Sequence, residues 1–281
     1  MTQYRVYDVF TDQPFGGNQL AVIPDATGLP EPQLQHIARE FNFSETTFVY
    51  PPTDNAHTAK VRIFTPTMEV PFAGHPTIGT AVALADLGYG GAQILELGVG
   101  PIRAQVDGNS ASFVTDVPLS ILANPDVDLV ARALGIASDK IVVTTHAPVQ
   151  AGLGLDFVFV ELQNSQALAA IRTSTETFTE GKRKFPAGLD FAIFAYCREN
   201  TAIRARMFAP LDNIPEDPAT GSASAALAAL LRQKLLLTQT LDIQQGIEMG
   251  RPSIIKATAD LSGNVTIAGQ AVLTMQGTLM L

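Results

Sequence analysis

Three residues of this chain combine acid–base chemistry with a local setting that could use it: Glu45, His75 and Asp217. Glu45 lies in Phe43-Ser44-Glu45-Thr46-Thr47-Phe48, where the chain crosses from an amphipathic helix to a strand. A strand end beside apolar residues desolvates a carboxylate and raises its pKa, which suits a general base that must also return its proton. The plain alternative is a solvated loop glutamate. His75 and Asp217 sit on loops that enter helices led by Gly74 and Gly221. A histidine at a helix start can be purely structural, and Asp217 can be a cap for the following turn. The remaining histidines have duller settings: His36 on the polar face of a helix, His57 in a Pro- and Asp-rich loop, and His146 in a loop before Pro148.

Each of the two helices starts at a glycine whose missing side chain lets the backbone approach a ligand, and its first-turn amides have no intrahelical partner. The helix dipole adds about half a positive charge at that end, so each start is a potential anion site. Two such starts facing one cleft would hold a carboxylate, with Ser222 adding a hydroxyl beside the second. The same glycines would also serve tight packing. The chain has no Gly-x-Gly-x-x-Gly after a strand, no Walker motif, no His-Glu-x-x-His and no clustered Cys and His ligands, so no nucleotide or metal site is expected. Cys197 ends the alternating run Phe191-Ala192-Ile193-Phe194-Ala195-Tyr196 and reads as a small buried hydrophobe. As the single cysteine it cannot face a second thiol within one chain.

The elements that must position these residues belong to a chain of 281 residues, enough for about two domains of ~150 residues each. Hydrophobic residues make up 46% and charged residues 16%, which excludes disorder, a coiled coil and a collagen-like fibre. A net charge of -9 removes the usual driver of nucleic-acid or anionic-membrane binding, so an anionic substrate must be held locally. One cysteine forms no intramolecular disulfide, the stretch from Met1 to Pro14 alternates apolar with polar residues, and no run approaches the ~18 apolar residues of a membrane span. A cytoplasmic protein is the expectation.

Period-two alternation over Tyr4 to Phe10, the turn Pro14-Phe15-Gly16-Gly17-Asn18 and the run Leu20 to Ile23 predict a hairpin. Leu34, Ile37, Ala38 and Phe41 make Glu31 to Phe41 an amphipathic helix, with strands at about Thr46 to Tyr50 and Lys60 to Phe64. Asn124 as cap, Pro125 in the first turn and Gly135 past the end frame a helix that opens the second half.

An internal repeat organises the whole. Arg62-Ile63-Phe64-Thr65-Pro66 followed by Pro71 matches Arg206-Met207-Phe208-Ala209-Pro210 followed by Pro215, and after a short insertion Gly74 and Gly221 each lead a helix. Those helices, about Pro76 to Leu87 and Ser222 to Leu231, consist of small and apolar residues on every side, so each must be enclosed. Each half therefore reads as a sheet curled around one helix.

Phe15-Gly16-Gly17-Asn18, Ser44-Glu45, Phe72-Ala73-Gly74-His75-Pro76 and Glu216-Asp217-Pro218-Ala219-Thr220-Gly221-Ser222-Ala223, in this order over nearly the whole chain, together resemble the PhzF-like phenazine-biosynthesis isomerase family. The resemblance implies the α+β, diaminopimelate epimerase-like fold: two pseudo-symmetric domains, each a β-barrel-like sheet wrapped around a central apolar helix. The expected domains are 1–117, joined by the C-terminal strand 268–281, and 118–267. It further implies an isomerase without metal or organic cofactor, a small carboxylate substrate and a homodimer, with no nucleic-acid or membrane partner. By the resemblance, Glu45 takes a proton from carbon and delivers it elsewhere on the same face, His75 and Asp217 are the other polar active-site residues, and Asn18, Gly74, Gly221 and Ser222 bind substrate.

Related epimerases use two cysteines, whose places here are taken by Ala73 and Thr220, so two-thiol racemisation is not expected. The expected reaction is double-bond migration by proton transfer. The alternatives are an amino-acid-type epimerase using Glu45 and Asp217 as opposed bases, and a non-catalytic small-carboxylate binding protein. Two departures stand out: Gln19 follows Asn18 where the family commonly has proline, and Thr173 to Gly188 reads as an idiosyncratic polar loop.

Overall fold

The computed structural model describes residues 1–199 and 202–281, which divide into two compact units, Met1–Thr115 with Thr266–Leu281, and Asp116–Val265. In the first unit the elements are β1 (Thr2–Val9), β2 (Asn18–Ile23), α1 (Glu31–Phe41), β3 (Glu45–Tyr50), β4 (Ala59–Phe64), β5 (Glu69–Val70), α2 (Gly74–Asp86), β6 (Ala92–Leu97), β7 (Gly100–Asp107) and β8 (Ser110–Thr115). Pairing runs β1–β2–β3–β4–β6–β7–β8, and the long C-terminal strand Val265–Leu279 pairs with both β8 and β1. The strands thus close into a barrel. The β2–β3 and β4–β6 pairs are parallel and need crossover connections, which α1 and α2 lie on.

The two crossovers bury themselves differently. α1 is amphipathic and lays Leu34, Ile37 and Ala38 against Ile23, Phe48 and Phe64. α2 packs on β1, β2, β3, β7 and β8, and every residue from Gly74 through Leu84 is buried. A helix surrounded by strands has no solvent face to carry polar side chains, which explains its uninterrupted run of small and apolar residues.

The second unit contains β9 (Ser120–Ala123), α3 (Val127–Leu134), β10 (Ile141–Val142), β11 (Val149–Gly152), β12 (Asp156–Leu162), α4 (Ser165–Ala169), α5 (Thr175–Lys184), β13 (Ile193–Glu199), β14 (Ala202–Ala209), β15 (Ile214–Asp217), α6 (Gly221–Leu235), β16 (Gln239–Gln245) and β17 (Ser253–Ala259). From β11 onward it repeats the first unit's scheme: β12–β13 and β14–β16 are parallel, and β11–β12, β13–β14 and β16–β17 are antiparallel. α6 is its enclosed helix, with Gly221 and Ala223 through Leu231 buried against β11, β12, β16 and β17. Helices α3, α4 and α5 cover the other face of β12 and β13 through Leu129, Leu168 and Phe178, which with Phe191 ahead of β13 meet Val158, Val160 and Cys197.

The Arg-x-Phe repeat is one physical device used twice. On a strand, residues two apart share a face. Arg62 forks onto Glu69 at 2.7 and 2.6 Å and lies 5.1 Å from the Phe64 ring centroid. Arg206 forks onto Glu216 at 2.7 Å through both nitrogens and lies 4.8 Å from the Phe208 ring. In each unit the fork ties the β4-type strand to the short strand that leads into the enclosed helix.

Two sequence expectations change. The helix expected from Asn124 starts at Val127 with Asp126 in the cap position, although Gly135 closes it in the left-handed conformation as expected. The segment Thr173 to Gly188 is not a polar loop but carries α5. Ser174 caps it by accepting from the Thr177 amide at 3.3 Å, Phe178 anchors it in the core, and Glu180 pairs with Lys184 and Arg132 on its outer face. With Phe178 as the one large apolar anchor in its ten residues, its apolar stripe is too narrow to stand out in the sequence. No helix among the described residues is long and apolar enough to cross a membrane.

Candidate active site

In the first unit, parallel pairing sets Glu45, the first residue of β3, beside Leu20 of β2, and α2 begins at Gly74. Glu45 Oε2 and His75 Nδ1 are 3.1 Å apart, with the Glu45 side chain 18% exposed and His75 4%. The structure therefore brings the two together. Burial pushes the His75 pKa down to about 3, a backbone hydrogen bond at Gln19 working weakly the other way. The ring is neutral at physiological pH, and an acceptor facing Nδ1 assigns its proton to that nitrogen. Nε2 is buried without a protein hydrogen-bond partner.

The start of α2 is uncapped: Ala73 contributes no side-chain hydrogen bond and the first turn has no acid. Pro76 lacks an N–H, so Gly74 and His75 supply the amides there. Asn18 is buried at the first position of β2, and Ser44 Oγ donates to its Oδ1 at 3.3 Å. Gly17 makes the turn into Asn18 with φ +59, and a Cβ there would collide with the Val9 carbonyl, so the second glycine of the Gly-Gly-Asn motif is a backbone requirement.

In the second unit, Asp217 is buried at the end of β15, across from Met207. Thr220 Oγ1 donates to Asp217 Oδ2 at 2.6 Å, so the cap residue of α6 turns its hydroxyl back to Asp217 and makes no side-chain bond into the helix. Gln245, fully buried on β16, donates to the Asp217 carbonyl at 2.8 Å and to Thr220 Oγ1 at 2.9 Å, and accepts from the Thr220 amide at 3.1 Å. Ser253, opposite Gln245 on β17, donates to the Pro218 carbonyl at 2.8 Å. Gly246, with φ +74, lets this hairpin approach, since a Cβ would lie 2.7 Å from the Pro218 carbonyl. Gly221 and the half-buried Ser222 open α6, whose first turn again has no acid.

Thr220, Gln245 and Ser253 were not singled out by sequence reasoning as partners of Asp217. Thr220 is three residues from Asp217 on the same loop, but only strand pairing brings β16 and β17 there, so no linear spacing signals Gln245 or Ser253. Among the described residues no group of three or more His, Cys, Asp or Glu is placed to hold a metal ion. A groove of about 540 Å³ lined by Tyr4, His36, Ile37, Phe41 and Leu281 contains none of the residues above.

Residues 7–277 match the family profile described as phenazine biosynthesis-like protein. An uncharacterized isomerase of Mesorhizobium japonicum is 38% identical over 99% of this chain and 98% of its own. The trans-2,3-dihydro-3-hydroxyanthranilate isomerase of Pseudomonas chlororaphis is 35% identical over 100% of both chains. The crystal structure of the Bacillus anthracis phenazine biosynthesis protein of the PhzF family superposes with a TM-score of 0.88 over 100% of this chain and 99% of that one, at 24% identity, which carries the fold. With full-length matches of this kind, the chain belongs to the PhzC-PhzF phenazine biosynthesis-like family and is an isomerase.

Proposed function

We propose that the protein catalyses double-bond migration on a small carboxylate, with Glu45 as the general base that takes a proton from carbon and then, as general acid, returns it at the vinylogous carbon on the same face. One C–H bond breaks and one forms, so the reaction has no net proton or electron demand. The observation that carries this reading is the Glu45–His75 pair, 3.1 Å apart at the start of an uncapped enclosed helix. A carboxylate in that setting can alternate between base and acid if its orientation is fixed. Neutral His75, its ring hydrogen-bonded to the Gln19 backbone, packs Nδ1 against that carboxylate and keeps Nε2 for a substrate donor.

Charge develops on the substrate carboxylate as the proton leaves, and the Gly74 amide with the dipole of α2 is arranged to meet it, with Asn18 as a further polar contact. In the second unit, Gly221 and Ser222 form a second anion-binding helix start, and Asp217 accepts from a substrate amine or hydroxyl. General acid–base catalysis contributes roughly 10²- to 10⁴-fold, so the single most sensitive atom is the Glu45 carboxylate oxygen.

The test is proton NMR in deuterated buffer with trans-2,3-dihydro-3-hydroxyanthranilate, the compound named for the Pseudomonas relative, alongside small unsaturated and amino carboxylic acids. Deuterium at carbon in a product with a shifted double bond, lost in Glu45→Gln, supports the reading. Turnover surviving in Glu45→Gln overturns it, and inversion at a stereocentre without bond migration would instead favour epimerisation.

A further inference from the structure

The hydrogen bonds that link Gln245, Thr220 and Asp217 have only one consistent direction. Gln245 Oε1 accepts from the Thr220 amide at 3.1 Å, which fixes the orientation of its side-chain amide. Both Nε2 protons are then committed, one to the Asp217 carbonyl at 2.8 Å and one to Thr220 Oγ1 at 2.9 Å. Thr220 Oγ1 is thereby occupied as an acceptor, and its single proton goes to Asp217 Oδ2 at 2.6 Å. A hydroxyl donor at that length is characteristic of a charged acceptor. Gln245 is 0%, Thr220 7% and Asp217 5% exposed, so water does not compete for these bonds.

We propose that Gln245 and Thr220 are positioning residues, a donor relay that holds the Asp217 carboxylate in one acceptor orientation. The inference rests on the reading of Asp217 as a substrate-binding acceptor. The relay works in series: Gln245 sets the Thr220 hydroxyl, the Thr220 hydroxyl holds Oδ2, and the plane of the carboxylate follows, which aims Oδ1. Ser253 and Gly246 brace the same loop at Pro218, so the backbone keeps an anchor when the relay is cut. This second anchor separates positioning from folding. Thr220→Val keeps shape and removes the hydroxyl, Thr220→Ser keeps the hydroxyl, and Gln245→Met keeps length without donors.

The experiment measures kcat, KM and thermal midpoint for Thr220→Val, Thr220→Ser, Gln245→Met, the Thr220→Val/Gln245→Met double variant and Asp217→Asn, with trans-2,3-dihydro-3-hydroxyanthranilate as the probe. For groups acting in series the double variant should lose little more than the worse single one. We expect Thr220→Val and Gln245→Met each to lower kcat about tenfold or more with KM changed less than about threefold, and Thr220→Ser to recover at least about half the rate. Losses that multiply in the double variant, or a Thr220→Val rate within about twofold of wild type with Asp217→Asn impaired, would overturn the relay. Wild-type turnover in Asp217→Asn would instead overturn the assignment of Asp217 itself. A folded Thr220→Ser as slow as Thr220→Val would show that the hydroxyl is not what matters and would also sink the proposal.

Discussion

The two units build one scaffold and line it with different polar groups. Each closes strands around a helix of small residues, each forks an arginine onto the short strand before that helix, and each leaves the helix start without a cap or an acid. Their polar groups diverge. Thr46 pairs with Phe64 in the first unit and Ile193 with Phe208 in the second, so the repeat sets Ala192 where the first unit has Glu45. Ser222 stands where the first unit has His75, and Asp217 where it has Val70. The helix starts and the arginine forks recur while Glu45, His75 and Asp217 do not, so the former belong to the shared fold and the latter are particular to one copy.

That contrast can be broken most sharply at Glu45. Glu45→Gln should cost about a thousandfold in turnover, whereas Ala192→Glu in the same background should restore none of it, as read by deuterium incorporation. Next in size is His75→Gln, for which kcat should fall about a hundredfold through loss of the ring packed against Glu45. The same variant changes the pH dependence of stability. His75 has a folded pKa near 3 against about 6.5 unfolded. Below pH 6.5 the unfolded chain therefore binds a proton that the folded chain refuses, and stability falls as pH drops toward 3. Denaturant titrations should show a shallower decline in His75→Gln over that window.

Smaller effects test the shared scaffold. Arg206 and Glu216 are 8% and 16% exposed, and Arg206 also donates to the Leu168 carbonyl at 2.9 Å, so Arg206→Met should destabilise by about 3 kcal/mol. Arg62 is 21% exposed and its partners Glu31 and Glu69 are 70% and 42% exposed, so Arg62→Met should cost only about 1 kcal/mol. Glu31→Gln should change stability by no more than about 0.5 kcal/mol at physiological salt. Equal losses for the two arginines in urea unfolding would show that the forks do not differ in burial as described.

Much of the fold was legible because its strongest signals are local. The enclosed helices follow from composition alone, since a run such as Gly74 through Leu84 has no face for water. The repeat was visible because the arginine fork needs Arg and Phe two apart on one strand. The Glu45–His75 pair was half legible: each residue sits at an element boundary, but their 3.1 Å approach depends on β3 and α2 meeting, which no spacing encodes. Burial pushes the His75 pKa down to about 3. The partners of Asp217 were illegible because Gln245 lies 28 residues along the chain and reaches it only through the β16–β17 hairpin. His146, set aside as a loop histidine, is 6% exposed and touches the Tyr196 hydroxyl at 2.8 Å, a core position that its proline-flanked sequence hid. Helix α5 was missed because its capping serine and single buried phenylalanine resemble a polar loop until α3 is seen to pair with it through Arg132 and Glu180.

The proposal for Glu45 is that it carries the migrating proton, and that for Asp217 is that it accepts from substrate without acting as the base. The most direct test of both is the rate of deuterium exchange at the reacting carbon of trans-2,3-dihydro-3-hydroxyanthranilate, measured side by side for Glu45→Gln and Asp217→Asn at saturating substrate. Exchange should be abolished in Glu45→Gln and slowed about a hundredfold but still measurable in Asp217→Asn. Exchange persisting in Glu45→Gln while vanishing in Asp217→Asn would contradict both.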